Sequence, residues 1–179
     1  MVIAVGADST ELGVDLATFA PAFHAARGLG LRRTCHAGEA VGAGPANIRI
    51  ALDVLGAERI DHGVAIVEDP DLVRRAAEGR IPLTVCPTSN VVIANRYATL
   101  AEHPLRALRD AGVLVTINTD DPAMMELDLG EEYRRVAAAL GFTTAELADL
   151  ATDGIASTFL DPVDQASLAA EFRDRLDPI

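Results

Sequence analysis

Apolar residues along this chain fall into two alternating patterns: short runs rich in β-branched side chains, and longer segments in which they recur every third or fourth position. Residues 2–6 form the first run, followed by the polar turn Asp8-Ser9-Thr10-Glu11 and by Leu16, Phe19, Ala20 and Phe23 at helical spacing. That helix is expected to stop near Gly28-Leu29-Gly30, and the next run, Leu31 to Cys35, ends at His36. Ile48, Ala51, Leu52 and Leu55 then mark a second amphipathic helix, closed by Gly56. Arg59 to Gly63 reads as a weak strand because charge interrupts it, and Asp69-Pro70 supplies an N-cap and an N1 proline for a helix over 70–78. Ile81 to Cys86 is a third clear strand, opening into Pro87-Thr88-Ser89-Asn90. A short helix follows over 104–110, then a strand from Val113 to Ile117, opening into Asn118-Thr119-Asp120-Asp121-Pro122. The remainder reads as helical: 130–140, a helix opened by the capping box Thr143-x-x-Glu146, and roughly 164–176.

Five β-α repeats in succession predict an α/β fold with a parallel sheet, and the near-continuous apolar strands predict cover on both faces. At 179 residues, one domain is expected. A five-stranded doubly wound domain of the regulator-receiver kind fits the strand count but leaves the chemistry below unexplained.

Charge narrows the partners. Twenty-seven acids against 15 bases give a formal net charge of −12, with no basic run to follow a phosphate backbone, so nucleic acid and anionic membrane surfaces are not expected partners. The first residues lack a basic leader, and no apolar stretch is long enough for a bilayer, so a soluble cytoplasmic protein is expected. Cys35 and Cys86 each lie within an apolar run, where a thiol behaves as a small hydrophobe, and no disulfide is expected between them.

Three of the five strands end in titratable groups: His36, His62 and the pair Asp120-Asp121. In parallel α/β folds the loops at the carboxyl ends of strands line the site, so these groups should converge. His36 with an aspartate such as Asp120 would offer nitrogen and oxygen ligands suited to Zn2+ or a similar ion, which lowers the pKa of bound water to about 7. Glu39, three residues beyond His36, can face the same space and give a proton to a substrate. The plainer uses are a solvated loop acid for Glu39, a turn or helix cap for Asp120-Asp121-Pro122, and a structural role for either histidine.

His36-Ala37-Gly38-Glu39, Arg59-Ile60-Asp61-His62-Gly63, Cys86-Pro87-Thr88-Ser89-Asn90 and Asn118-Thr119-Asp120-Asp121-Pro122, in this order, resemble the adenosine deaminase family of metal-dependent amidohydrolases over essentially the whole chain. The Pro-Cys-x-x-Cys zinc site of other nucleobase deaminases is absent. The resemblance implies a partial (β/α)8 barrel, matching the fourth to eighth strands and ending in a helical tail. It also implies one Zn2+ held by His36 and Asp120. Glu39 would protonate the purine ring at N1, His62 would orient or deprotonate the metal-bound water, Asp121 would hydrogen-bond N7, and Ser89 would buttress the metal. Ser9 falls where the family carries a glycine that contacts the base. The implied reaction is hydrolytic deamination of adenosine to inosine and ammonia, with adenine or a modified adenosine such as a deoxyfutalosine-type nucleoside as alternatives.

Family barrels need about 250 residues, so three amino-terminal βα units are expected to be missing, and with them a His-x-His that supplies two further ligands. His24 and His103 are in no such motif and read as surface or capping residues. The first and last strands of such an arc would lack outer partners and would uncover apolar side chains meant to fill the barrel. Two readings follow. In one, the chain is the carboxy-terminal part of a deaminase, catalytic with a complementing amino-terminal half. In the other, it is a non-catalytic remnant that closes its sheet by self-association as a homo-oligomer.

Overall fold

Five strands form one parallel sheet in the order of the chain: β1 (Ala4–Ala7), β2 (Arg32–Ala37), β3 (Arg59–His62), β4 (Leu83–Val85) and β5 (Val115–Ile117). The structure is a computed structural model that describes residues 2–176. Helices α1 (Ala20–Gly28), α2 (Pro45–Asp53) and α3 (Pro70–Glu78) each separate consecutive strands, α4 (Pro87–Val92) and α5 (Leu105–Asp110) both lie between β4 and β5, and α6 (Leu129–Leu140), α7 (Thr144–Ala156) and α8 (Pro162–Leu176) follow. No described helix is long and apolar enough to cross a membrane.

Local chemistry sets most of the boundaries. The Asp69 carboxylate accepts from the Leu72 amide and Pro70 opens α3, while Thr143 and Glu146 form the reciprocal capping box of α7. The apolar spacing from Leu16 does not make one helix. A 3-10 turn, Leu16–Phe19, capped by Asp15, precedes α1, because Pro21 has no N–H with which to continue a ladder from the turn before it. The Pro87-Thr88-Ser89-Asn90 segment is the first turn of α4, with Pro87 where its missing donor costs nothing.

A sheet whose strands neighbour in sequence order never reverses its direction of winding, whereas a doubly wound sheet does so at its switch point. The receiver-like alternative is thereby ruled out, and so is the expectation of cover on both faces. Registers pair Cys35 with Ile60, Ile60 with Leu83, and Leu83 with Val115, so these side chains share one face. That face packs with Ile48, Leu52, Leu72, Leu105, Val136 and Leu150 in the hydrophobic core. The opposite face carries Thr34, Asp61, Thr84 and Thr116, which pair in register across β2 to β5 or share its parity. Thr34 and Thr84 each donate to Asp61, at 2.6 Å, and Asn118 Nδ2 donates to Thr116 at 2.8 Å. Instead of the apolar filling expected there, this face bears a hydrogen-bonded polar row, with Thr34, Asp61 and Thr84 half-buried and Thr116 buried, so each polar group needs the partner it has. Among the described residues β1 pairs only with β2 and β5 only with β4, so both outer edges are open, as expected.

Leu83 is fully buried at the centre of the apolar face. Leu83→Ala should lower unfolding stability by about 2–5 kcal/mol, read as a reduced denaturation midpoint in urea with an unchanged slope.

Candidate active site

Parallel strands deliver their carboxyl ends to one rim, and there β2 ends with His36-Ala37, β3 ends at His62, and Asp120 follows β5. The rings of His36 and His62 meet edge to face, centroids 4.7 Å apart. Glu39 reaches both: Oε2 lies 3.0 Å from His36 Nε2 and Oε1 lies 3.2 Å from His62 Nδ1. On the other side of His62, Nε2 stands 3.9 Å from Asp120 Oδ2, which accepts from the Ser89 hydroxyl at 2.5 Å. His62 and Asp120 both hold positive φ, 62° and 60°, a conformation costing a non-glycine residue about 1–3 kcal/mol. Such strain persists only where the surroundings over-determine it.

The loop between His36 and Glu39 is clamped from two sides. Glu11, 2% exposed, accepts from the amides of Gly38, Glu39 and Ala40 at 2.7, 2.7 and 3.1 Å, and from Asn47 Nδ2 at 2.9 Å. Burial raises the Glu11 pKa, but these four donors outweigh it and hold the carboxyl below its ordinary value. From behind, Arg96 donates to the carbonyls of Glu39, Ala40 and Ala43 and pairs with Glu68. Gly38 permits the turn: it sits at φ +78°, and a Cβ there would stand 2.7 Å from Ile48 Cδ1. Gly63 serves β3 likewise, at φ +72° with Leu83 Cδ2 2.8 Å from where a Cβ would lie.

Ser9 meets the same rim through its backbone, its carbonyl lying 2.6 Å from His36 Nδ1. Its φ of 79° is a glycine conformation, which gives a physical reason for a glycine to be favoured at this position. Asp121 is not drawn in. It is exposed, and its side chain makes no hydrogen bond or ion pair among the described residues.

Sequence reading missed several members of the cluster. Asn90, fully buried, donates through Nδ2 to Glu39 Oε1 and to His62 Nδ1, at 3.1 Å each. His103 is 4% exposed and stands behind Asn90, which overturns its placement on the surface; its capping role holds, since Nδ1 accepts from the Leu105 amide at 3.2 Å. Cys86 joins His62 and Asp120 in a group whose donor atoms lie within 4.8 Å of one another. Burial pushes its thiol pKa far up, so it stands there as a neutral group. Both cysteines are free and buried. His24 is exposed on α1, as expected, with its ring on the Val54 carbonyl.

The donor set fits a divalent cation. Only an N–H can face the Ser9 carbonyl, so His36 is protonated at Nδ1 and turns Nε2 to the site, the arrangement that orients a ligating histidine. Asp120 is steadied by Ser89 in the same way. Burial pushes the His36 pKa down, but Glu39 and the Ser9 carbonyl prevail and lift it to about 9. Burial raises Glu39, yet both histidines bring it below its usual range, and His62 is lowered by burial, with Glu39 opposing.

Comparison with known proteins gives the chain a family and a fold relationship. The family described as adenosine deaminase matches residues 1–175. An adenine deaminase of Streptomyces coelicolor is 46% identical over 94% of this chain and 48% of its own length. An aminodeoxyfutalosine deaminase of Streptomyces avermitilis is 44% identical over 94% of this chain and 46% of its own. Among solved structures, an amidohydrolase from Burkholderia ambifaria with bound Zn superposes with a TM-score of 0.88 at 31% identity, covering 98% of this chain and 49% of that one. The chain therefore spans about half the length of the relatives it matches, and its sheet is the corresponding arc of a (β/α)8 barrel.

Two outcomes follow from the buried ionisable groups. Glu11→Gln sets an amide NH2 against backbone N–H groups and should cost about 2–3 kcal/mol, measured by urea denaturation at neutral pH. Burial pushes His103 from 6.5 down to about 3. Its contribution is therefore complete above pH 6.5 and declines as pH falls towards 3, by up to about 1.4 kcal/mol per pH unit. His103→Gln should flatten the fall in urea midpoint between pH 6.5 and 4 relative to the unsubstituted chain.

Proposed function

The chain belongs to the adenosine deaminase family, and on that premise we propose that residues 1–179 form one catalytic domain that hydrolyses the 6-amino group of a purine nucleoside, converting adenosine to inosine and ammonia. One observation carries the reading: the Glu39 carboxyl group lies between His36 and His62, within hydrogen-bonding distance of each, at the carboxyl rim of the sheet. A carboxyl in that position, ionised at neutral pH, can hand ring nitrogen N1 a proton once one from the attacking water has reached it, making C6 electrophilic. His62, fixed by Asn90, orients the attacking water or takes its proton; C6 becomes tetrahedral, and the proton of the added hydroxyl passes to the amino group, which leaves as ammonia to give the 6-oxo ring. Asp121, free of partners among the described residues, is available to hydrogen-bond N7, and Ser9 lines the ring edge.

His36 Nε2 and the Asp120 carboxylate would hold a zinc ion, with Ser89 keeping Asp120 in place. Zinc, when bound, would supply hydroxide at neutral pH. A catalytic zinc ordinarily has at least three protein ligands, so the balance of the coordination is proposed to come from outside these residues, from complementing amino-terminal βα units pairing at the open sheet edges.

A second reading, adenine as substrate, is favoured by the name of the Streptomyces coelicolor relative; the Streptomyces avermitilis relative favours a modified nucleoside in the same way. Purified chain with added zinc should be assayed by the ultraviolet change on deamination of adenosine, adenine and aminodeoxyfutalosine, with zinc content measured on the same sample. Glu39→Gln should lower turnover at least about 100-fold. Turnover unaffected by that substitution removes Glu39 from proton transfer, and the absence of both turnover and stoichiometric zinc, in the chain alone and with the amino-terminal βα units of a relative added, defeats the reading.

A further inference from the structure

The roles given to Glu39 and His62 require particular hydrogen-bonding states, and the two residues do not select those states themselves. The selection begins outside the site. The Leu105 backbone N–H can only donate, and it faces His103 Nδ1 at 3.2 Å, so that nitrogen holds a lone pair. The ring is buried and its pKa is driven down to about 3, so it is neutral and carries its one proton on Nε2. His103 Nε2 therefore donates to Asn90 Oδ1, at 3.1 Å. An amide whose oxygen is held on one side must present its NH2 on the other, and Asn90 Nδ2 stands 3.1 Å from both Glu39 Oε1 and His62 Nδ1. With one N–H of that amide for each, both atoms accept, and the amide bridges the 3.2 Å approach of Glu39 Oε1 to His62 Nδ1 that an Nδ1 proton would otherwise close. His62 consequently keeps its proton on Nε2, the nitrogen on the Asp120 side.

We propose that His103 is a positioning residue of this site: from outside the rim, through the Asn90 amide, it fixes the Nε2–H tautomer of His62 and holds Glu39 Oε1 as an acceptor. With the amide turned over, an oxygen would face the Glu39 carboxylate and His62 would be free to protonate at Nδ1, turning a lone pair towards Asp120. His103 and Leu105 thus turn an N–H of His62 towards the Asp120 side, so that of the two roles open to His62 it orients the reacting water and does not take its proton. This use of the network rests on the deaminase reading, while the network itself can be tested without it.

The experiment is long-range 1H–15N correlation of the histidine side chains in the 15N-labelled, metal-free 179-residue chain near neutral pH, where only four histidines need assignment. In the unsubstituted chain, His103 and His62 should each show a protonated Nε2 and an unprotonated Nδ1. His103→Gln, which keeps an N–H for Asn90 Oδ1, should leave the His62 pattern unchanged, and His103→Leu should convert it to a mixture of tautomers. A purely space-filling role for residue 103 would leave His62 the same in both variants, and that result overturns the proposal. So does an Nδ1–H form of either histidine in the unsubstituted chain, a measurement that depends on no variant folding. Because neither substrate nor metal is used, failure of the deaminase assay and failure of this wiring are separately visible.

Discussion

Parallel strands impose one constraint from which the rest of this molecule follows: each must be reached by crossing back over the sheet, so every strand ends at the same rim. With the strands in sequence order, one face meets the helices and buries Cys35, Ile60, Leu83 and Val115, while the other keeps Thr34, Asp61, Thr84 and Thr116. His36, His62 and Asp120 are brought together because each lies at or just beyond a strand's carboxyl end, although 84 positions (120 − 36) separate the first from the last. Chemistry at this rim is a product of topology before it is a product of any local motif.

The rim remains ordered because its charges and polar groups are answered from behind. A carboxylate as buried as Glu11 is tolerable only with its lone pairs filled, and three loop amides and Asn47 fill them. Glu132, fully buried, does the same for the start of α4, accepting from the Thr88 amide and hydroxyl. Asn90 is thereby carried on a helix that is fixed at its first turn. No buried side-chain nitrogen or oxygen among the described residues lacks a partner, so the network under the site is closed.

Positive φ at Ser9, His62 and Asp120 shows where local preference was overruled. Each residue stands where a strand hands over to its loop, and each is held by a contact that relaxation would break: the Ser9 carbonyl on His36, the Asn90 amide on His62, the Ser89 hydroxyl on Asp120. Strain at these positions is the cost of aiming groups across the rim instead of along the strand. The cluster so formed places nitrogen and oxygen donors around one small space.

Much of this was legible in the sequence alone. Five β-α repeats, the caps at Asp69 and Thr143, and polar groups after apolar runs follow from local preferences that the fold does not contradict, so the α/β class and the meeting of His36, Glu39, His62 and Asp120 could be read directly. Three things could not. Thr34, Thr84 and Thr116 look like ordinary strand residues, and only the registers reveal that they share a polar face. Glu11 lies in a turn of unremarkable composition, and its burial exists only once β1 and β2 are side by side. His103 and Asn90 are polar residues 13 positions apart, with no periodicity linking them. Local sequence sets what each segment prefers, since that depends on neighbours along the chain; which polar groups must answer one another is decided by strand pairing and helix packing, because a buried donor's partner comes from whatever the fold brings within about 3 Å.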